Sequence, residues 1–304
     1  MTNRIVTVAI VTFRTERKLF EECVASARRA AERAGVEIEV LVADNSDDDH
    51  FANLRESADR WIDMGENAGF ARASNNAVAN AKGEYVLLLN PDAALEVDAL
   101  AQLLAASEQY PGALFCGWLT AYGRTQVDAY LRWWTSTGRF VRRGRYRKYL
   151  DAAATNSLVP VEKVSGGALF GRRDLLQALG PFDDRYFLYS EDVDLSFRAG
   201  RSGVRLFAVK GARVSHQASS SQASHSALVE SARTDAAIRL NSYHLPYPIA
   251  LATRLEFALI TLLGLLPGLG KSSGSRRVRI ARFNQIAAWG LRREMPRFDP
   301  ATFR

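Results

Sequence analysis

Short apolar runs alternate with longer amphipathic stretches along the first third of the chain. The runs cover residues 5–11, 37–43, 61–64 and 85–89, and the stretches between them cover about 16–34, 69–81 and 97–109. A continuous apolar run is typical of a strand that is buried on both faces. The alternation therefore predicts βαβ units and an α/β fold with a mostly parallel sheet flanked by helices.

Polar residues and glycine follow the ends of these predicted strands. In chain order they are Thr12, Phe13, Asp44, Asn67, Gly69 and Asp92. The carboxyl ends of parallel strands share one edge of a sheet, and ligands bind along that edge in open α/β folds. We therefore expect these residues to lie close together, with Gly69 allowing a ligand to approach the backbone.

The rest of the chain is less regular. A strand is predicted at 166–170, helices at 173–179 and 191–201, and a strand pair at 204–214 that ends near His216. The aromatic and basic stretch 122–151 has little periodicity, and we interpret it as a mobile loop region. The Ser-, Ala- and Gln-rich stretch 215–226 is predicted to be a flexible loop.

Length and composition indicate a globular protein with one large domain and an appendage. The chain has 304 residues, 47% apolar and 24% charged, which excludes general disorder. Cys23 and Cys116 are far apart in apolar contexts and are predicted to be buried thiols, with no disulfide or zinc spacing. No apolar signal segment follows Met1, so we expect a cytoplasmic protein.

The positive charge is concentrated at the C-terminal end. Residues 271–304 hold nine Lys/Arg and two Asp/Glu, which accounts for the net charge of +7. This distribution argues against a nucleic-acid-binding protein. The uncharged stretch 257–270 is shorter than the roughly 18–20 residues that span a bilayer. Either residues 254–304 make peripheral contact with the inner face of a membrane, or they form a helical hairpin packed on the main domain.

Asp92 and His216 are candidate metal ligands. Pro91 ends the fourth strand and presents Asp92 at the edge where ligands bind. A carboxylate there could hold Mg²⁺ or Mn²⁺, and imidazole suits Mn²⁺ beside oxygen donors. The alternatives are that Asn90-Pro91-Asp92 is an ordinary turn and that His216 is an ordinary hydrogen-bonded side chain.

Glu191, Asp192 and Asp194 are candidates for acid–base chemistry. Acidic residues are favoured in the first turn of any helix, which is explanation enough for many such clusters. The preceding Phe187-Leu188-Tyr189, however, would raise the pKa of a nearby carboxylate and prepare a general base for an alcohol. Glu191 and Asp192 point about 100° apart on a helix, so at most one faces the reacting centre.

Two common nucleotide-binding motifs are absent. The chain has no GxxxxGK[ST], and no GxGxxG follows the first strand. The absence excludes ATP on a P-loop and NAD on a dinucleotide fingerprint.

Eight short motifs, in order and covering about residues 5–220, resemble glycosyltransferase family 2, a family of inverting enzymes with a GT-A fold, and within it the rhamnosyltransferase-like branch. They are Val11-Thr12-Phe13, Asp44-Asn45-Ser46-Asp47, Asn67-x-Gly69-Phe70 with Asn75, Asn90-Pro91-Asp92, Ser165-Gly166-Gly167, Gly180-Pro181-Phe182-Asp183, Glu191-Asp192-Val193-Asp194-Leu195 and His216. The resemblance implies a GT-A domain over residues 1–240 and a helical extension with a basic tail over 241–304.

The resemblance also implies roles for these residues. The nucleotide of a nucleotide-sugar donor would be bound by Thr12, Phe13, Asp44, Asn67, Gly69 and Asn75. Asp92 would hold the metal, with His216 as a further ligand near the diphosphate. Asp192, or failing it Glu191, would deprotonate the acceptor hydroxyl, which displaces the nucleoside diphosphate in one step.

Two departures from the family pattern leave the donor open. Arg14 stands where many relatives have Asn, and Ala77 where they tend to have Gly. A dTDP-linked 6-deoxyhexose such as rhamnose is the leading prediction, and a UDP- or GDP-sugar is the alternative. A nucleotidyltransferase would need a glycine-rich loop after the first strand, which is missing. A non-catalytic sugar-nucleotide-binding protein also remains open.

The acceptor is open between two chemical classes. The stretch around Trp133, Trp134 and Arg142 could cover a lipid-linked glycan, or a small aglycone stacked on indole. The apolar segment and basic tail favour the lipid-linked acceptor.

Overall fold

A computed structural model describes residues 5–46, 48, 50–153, 157–216, 227–265 and 276–300. Its strands are β1 Ile5–Thr12, β2 Glu37–Asp44, β3 Arg60–Asp63, β4 Tyr85–Leu89, β5 Ala93–Leu95, β6 Leu114–Ala121, β7 Arg124–Thr125, β8 Leu158–Pro160, β9 Ala168–Arg172 and β10 Leu206–His216. Its α-helices are α1 Arg17–Ala34, α2 Gly69–Asn80, α3 Ala99–Gln109, α4 Ser136–Ala152, α5 Arg173–Leu179, α6 Glu191–Arg201, α7 Ala227–His244, α8 Tyr247–Leu265 and α9 Arg276–Trp289.

The first half of the sheet is parallel, as the apolar runs predict. In the order β3-β2-β1-β4, each neighbouring pair runs parallel. β1 lies in the middle and all but its first residue are buried, which explains why it reads as a continuous apolar run. Thr12 and Asp44 are register partners, so the carboxyl ends of β1 and β2 meet at one edge.

The second half of the sheet is mixed, so the prediction of a mostly parallel sheet holds only for the first half. β9 runs antiparallel between β4 and β6, and β10 runs parallel to β6 but antiparallel to β5. The pairing of β10 with β5 sets His216 opposite Ala93. This register brings the end of β10 next to Asp92.

The prediction of a mobile loop at 122–151 is wrong, because α4 occupies the second half of this stretch. Thr135 caps this helix by accepting a hydrogen bond from the Gly138 N–H at 2.9 Å. Leu150 is its buried residue, and ion pairs with Asp128 and Glu162 hold its exposed side. A helix with so little buried surface leaves no apolar periodicity in the sequence.

Two other predictions need correction at β10. The strand pair expected at 204–214 is a single strand, Leu206–His216, with a register shift between Val209 and Arg213. Ser215 and His216, the start of the predicted flexible loop, belong to this strand. The rest of that loop, 217–226, lies outside the described residues.

The C-terminal helices pack on the main domain. α7 runs through the predicted domain boundary at residue 240, and Ala236 and Leu240 join the main core. The buried Asp235 pairs with Arg239 at 3.0 Å and accepts a hydrogen bond from the Trp289 indole at 2.9 Å. Much of the predicted basic tail is therefore an ordered helix, α9, fixed on α7.

One face of α8 is apolar and exposed. Among the described residues this is the one helix that is long and apolar enough by composition to cross a membrane, with a mean hydropathy of 1.6, and 22% of it is buried. Its buried residues, Ala250, Thr253, Arg254 and Thr261, face the protein. Leu255, Leu259, Leu262 and Leu263 are each more than 40% exposed on the other side. The buried side agrees with a helix packed on the main domain, whereas the predicted membrane contact stays a prediction.

Candidate active site

A cavity of about 540 Å³ lies at the carboxyl ends of β1 and β4. Five of the predicted site residues line it together, namely Thr12, Phe13, Asn67, Gly69 and Asp92. They come from separate strand ends, as expected for the ligand-binding edge of an α/β sheet. Its volume lies within the usual range for small-molecule sites.

Gly69 forms a wall of the cavity where no other residue fits. Its φ is +77°, and a Cβ there would lie 2.4 Å from the carbonyl oxygen of Phe187. The next residue, Phe70, donates its N–H to this same carbonyl at 2.8 Å. The close approach requires glycine and joins the start of α2 to the segment before α6.

Residues near the C-terminus support this wall from outside. The Arg297 guanidinium donates to the carbonyl of Ala68 and lies over the Phe187 ring, 5.8 Å from its centroid. The Phe298 ring packs on Phe187 with 5.6 Å between centroids. No sequence pattern indicates that residues so distant along the chain meet here.

Two predicted nucleotide-binding residues do not line the cavity. Asp44 is buried, accepts a hydrogen bond from the Ser46 N–H at 2.9 Å, and has its pKa raised by burial. Asn75 exchanges hydrogen bonds with the backbone of Phe182 and donates to Asp184. In this structure Asn75 joins α2 to the Gly180-Pro181-Phe182-Asp183 turn, and its predicted contact with a nucleotide stays a prediction.

Asn45 is a lining residue that the sequence prediction missed. Its side chain accepts a hydrogen bond from the Ala68 N–H at 3.2 Å and donates to the Gly69 carbonyl at 3.3 Å. It therefore fixes the loop before α2 to the end of β2. The signal in the sequence is its place in the Asp44-Asn45-Ser46 turn, next to the predicted Asp44.

Asp92 and His216 lie side by side at the edge of the cavity. The His216 Nε2 atom is 3.1 Å from Asp92 Oδ1 and 3.1 Å from the Asn90 side-chain nitrogen. The imidazole Nδ1 atom is 3.1 Å from the Gln126 side-chain nitrogen. These contacts fix the ring so that one nitrogen faces the carboxylate, and they bring together the two predicted metal ligands.

The donor set is compatible with a divalent cation that keeps most of its coordination for other ligands. Among the described residues, no third His, Cys, Asp or Glu joins this pair. Mg²⁺ and Mn²⁺ are commonly held by one or two side chains, with phosphate oxygens and water completing the shell. For Nε2 to bind a cation, Nδ1 would carry the proton, and turning the Gln126 amide by 180° would present its oxygen to Nδ1–H. That turn would break the hydrogen bond that the Gln126 nitrogen donates to the His216 carbonyl at 3.3 Å.

Asp192 is anchored by a buried lysine. Its Oδ2 atom is 3.0 Å from Lys163 Nζ and accepts a hydrogen bond from the Gly166 N–H at 3.3 Å. The two side chains are only 11% and 13% exposed. No sequence signal points to Lys163 itself, which lies in an irregular segment just before the Ser165-Gly166-Gly167 motif.

Glu191 is buried beside Asp192. An acidic residue that only favoured the first turn of a surface helix would be exposed to solvent. Burial, and next the Asp192 charge, raise the pKa of Glu191 to about 8. Its Oε2 atom is buried and has no hydrogen-bond partner among the described residues. Tyr189 and Ser190, directly before it, have φ of 71° and 64°, a strained turn of the kind that clusters at functional sites.

Two glycines connect the carboxylate pair to the Asp92 side. A Cβ on Gly166 would lie 3.3 Å from the Phe70 ring, which lines the cavity, and 3.7 Å from Asp192 Cβ. Gly167 accepts a hydrogen bond from the Asn90 N–H at 3.1 Å. Asp192 does not itself line the cavity, but it lies beside Gly166, which also packs on the cavity-lining Phe70 ring.

The fold and the sequence comparisons define the class of protein as a glycosyltransferase with a GT-A fold. The model of glycosyl transferase family 2 matches residues 7–179. Since this range covers more than half of the chain, the protein belongs to glycosyl transferase family 2.

Curated relatives and solved structures agree with this assignment. The chain is 31% identical over 220 residues to N-acetylglucosaminyl-diphospho-decaprenol L-rhamnosyltransferase of two Mycobacterium tuberculosis strains, covering 64% of this chain and 71% of each relative. A crystal structure of GalNAc-T7 with UDP, GalNAc and Mn²⁺ superposes with a TM-score of 0.56 at 18% identity. That alignment covers 70% of this chain and 43% of the other, and it supports the fold alone.

Proposed function

We propose that this family 2 enzyme transfers a sugar from a nucleoside diphosphate to an acceptor hydroxyl, with inversion at the anomeric carbon. The observation that carries the proposal is the contact between Asp92 and His216, 3.1 Å apart, at the edge of the cavity. The Asp92 carboxylate and the His216 imidazole are the side chains that would hold a divalent cation there. When bound, Mg²⁺ or Mn²⁺ would offset negative charge on the diphosphate.

Asp192 is the general base in this proposal. Its carboxylate takes the proton of the acceptor hydroxyl as that oxygen forms a bond to the anomeric carbon. The bond from that carbon to the diphosphate breaks in the same step, and the nucleoside diphosphate leaves with the electron pair. The ion pair with Lys163 supports Asp192 over Glu191 as the base, since burial and the Asp192 charge raise the pKa of Glu191 and favour its protonated form.

The proposed donor is a dTDP-linked 6-deoxyhexose such as rhamnose, and the proposed acceptor is a lipid-linked diphosphate glycan. Both rest on the curated relatives, whose name states L-rhamnose transfer to an N-acetylglucosaminyl-diphospho-decaprenol. A UDP- or GDP-sugar with a small aglycone is the alternative. A lipid-linked acceptor would also place the enzyme at the cytoplasmic face of a membrane.

A thermal-shift panel of dTDP, UDP, GDP and CDP, each with and without Mn²⁺, tests the donor site. Ligands that bind only the folded state raise the melting temperature, and at a concentration 100 times Kd the gain is about 2.7 kcal/mol. For this chain we expect a shift of several degrees with dTDP that requires Mn²⁺. A shift selective for another nucleotide would change the donor, and no shift with any would favour a non-catalytic protein.

We also propose that α8 binds a lipid surface in the plane of the membrane. Its exposed leucines face away from the protein, and α9 beside it begins with Arg276 and Arg277. An apolar face flanked by arginines is the usual design of a peripheral contact with anionic lipid. The proposed lipid-linked acceptor would require the cavity to work close to such a surface.

Sedimentation with phosphatidylglycerol vesicles tests the membrane contact. The double substitution Leu259→Gln and Leu263→Gln should weaken binding at least tenfold, since burying each leucine contributes about 1.5–3 kcal/mol. Val97→Gln is the matched control, because Val97 is 51% exposed and Leu259 52%. Equal sedimentation of all three proteins, or none by the wild type, would contradict the contact.

A further inference from the structure

We propose that Lys163 is the positioning residue for Asp192: its ammonium holds one carboxylate oxygen and balances the buried charge, so that the other oxygen meets the acceptor hydroxyl. This inference rests on the proposed function, in which Asp192 is the base. Lys163 itself would not touch substrate. It acts through its ion pair with Asp192.

The hydrogen bonds around Asp192 separate its two oxygens. Oδ2 receives both Lys163 Nζ and the Gly166 N–H. Among the residues that the structure describes, none donates a hydrogen bond to Oδ1. The two donors therefore hold one oxygen in place and leave the other for an acceptor hydroxyl, the orientation that general-base catalysis needs.

The segment that carries Lys163 is fixed on α6 by its backbone as well. The Lys163 N–H donates to the Tyr130 carbonyl at 3.2 Å, and the Val164 N–H donates to Ser196 Oγ at 3.1 Å. Ser196 Oγ in turn donates to the Asp192 carbonyl at 2.7 Å. These hydrogen bonds hold the Lys163 segment and the Asp192 backbone together. Little conformational entropy of the two side chains is then left to lose when substrate binds.

Several acidic groups surround Asp192, so the positive charge of the Lys163 ammonium is needed to balance its carboxylate. Glu191 and Asp194 share its helix, and Cys116 faces it from β6 with a thiol whose pKa is raised by burial. Asp194 is paired with Arg198 at 2.8 Å and, from α7, with His244 at 2.8 Å. Asp128, whose pKa the Lys163 charge helps to lower, is paired with Arg139. Among the described side chains, Lys163 is the cation in direct contact with Asp192, and without it that charge would be buried uncompensated.

The test is the pH dependence of kcat/KM for Lys163→Met and Lys163→Arg, with the donor that the thermal-shift panel selects and an N-acetylglucosaminyl-diphospho-lipid acceptor. Lys163→Met should move the acid limb of the profile to higher pH by about one unit, because the carboxylate anion has lost its counter-charge. Its kcat should fall about 10–100-fold, with donor KM changed less than about twofold. Lys163→Arg, which keeps the charge, should restore the acid limb.

An acid limb of Lys163→Met that coincides with the wild type would overturn the proposal. If that variant fails to fold, the double variant Lys163→Met/Asp192→Asn replaces it, since no buried charge is left unpaired. Compared with Asp192→Asn alone, the double variant should lose less than about twofold more turnover, because the lysine acts only through the aspartate. A further tenfold loss would show a different role. Absence of any transfer by the wild type would instead remove the proposed function itself.

Discussion

Asp192→Asn is expected to lower kcat by about 10²–10⁴-fold, the usual contribution of a general base. Asparagine keeps the size of the side chain and can still accept a hydrogen bond from Gly166, but it cannot take the acceptor proton. Nucleoside diphosphate affinity should change less than about twofold, since Asp192 does not line the cavity. Steady-state transfer assays combined with the thermal-shift panel measure both quantities.

Glu191→Gln is the matched comparison, because this carboxyl lies one residue away and is buried to a similar degree. We expect it to retain much more turnover than Asp192→Asn, since burial and the Asp192 charge raise the pKa of Glu191 and favour its protonated form. Full turnover of Asp192→Asn together with a large loss in Glu191→Gln would transfer the role of base to Glu191.

Asp92→Asn is expected to lower kcat/KM by about 10²–10³-fold and to abolish the Mn²⁺-dependent part of the nucleotide thermal shift. The substitution keeps the size of the side chain but removes the negative charge that attracts a divalent cation. The metal titration is the more direct of the two measurements, because it reads binding without requiring the correct acceptor.

Asp98→Asn is the control for this substitution. Asp98 also follows a short strand, but its carboxylate pairs with Arg33 at 2.8 Å and is 54% exposed. An exposed pair of this kind contributes little to stability, so the variant should behave as the wild type does. If Asp92→Asn kept a full metal-dependent shift, the metal site would have to lie elsewhere.

The parallel half of the sheet could be predicted from sequence because burial on both faces leaves a plain signal. β1, β2 and β4 are short apolar runs, and the order of βαβ units then fixes which ends share an edge. Thr12, Asn67 and Asp92 follow such ends, so their meeting in one cavity could be predicted from the strand pattern. His216 lies beside Asp92 for a related reason, since it ends a strand that pairs with β5.

The elements and site residues that could not be predicted depend on contacts with distant parts of the chain, and such contacts leave no pattern in the local sequence. α4 is exposed on nearly every side, so its residues carry no period that separates it from a loop. Lys163 belongs to an irregular segment and gains its importance only from the helix packed against it. Asp44 and Asn75 show the opposite case, in which a motif was visible but the side chains hold backbone rather than line the cavity.

The support that Arg297 and Phe298 give to the cavity wall has a consequence for how the protein is made. Arg297 bonds to Ala68 across 229 positions of sequence. A ribosome adding about 5–20 residues per second needs roughly 10–50 seconds to cover that separation, so the sheet has time to form first. Until then the Phe187 ring lacks its contact with Phe298, and this wall of the cavity is incomplete. The wall is therefore finished later in synthesis than the sheet that carries it.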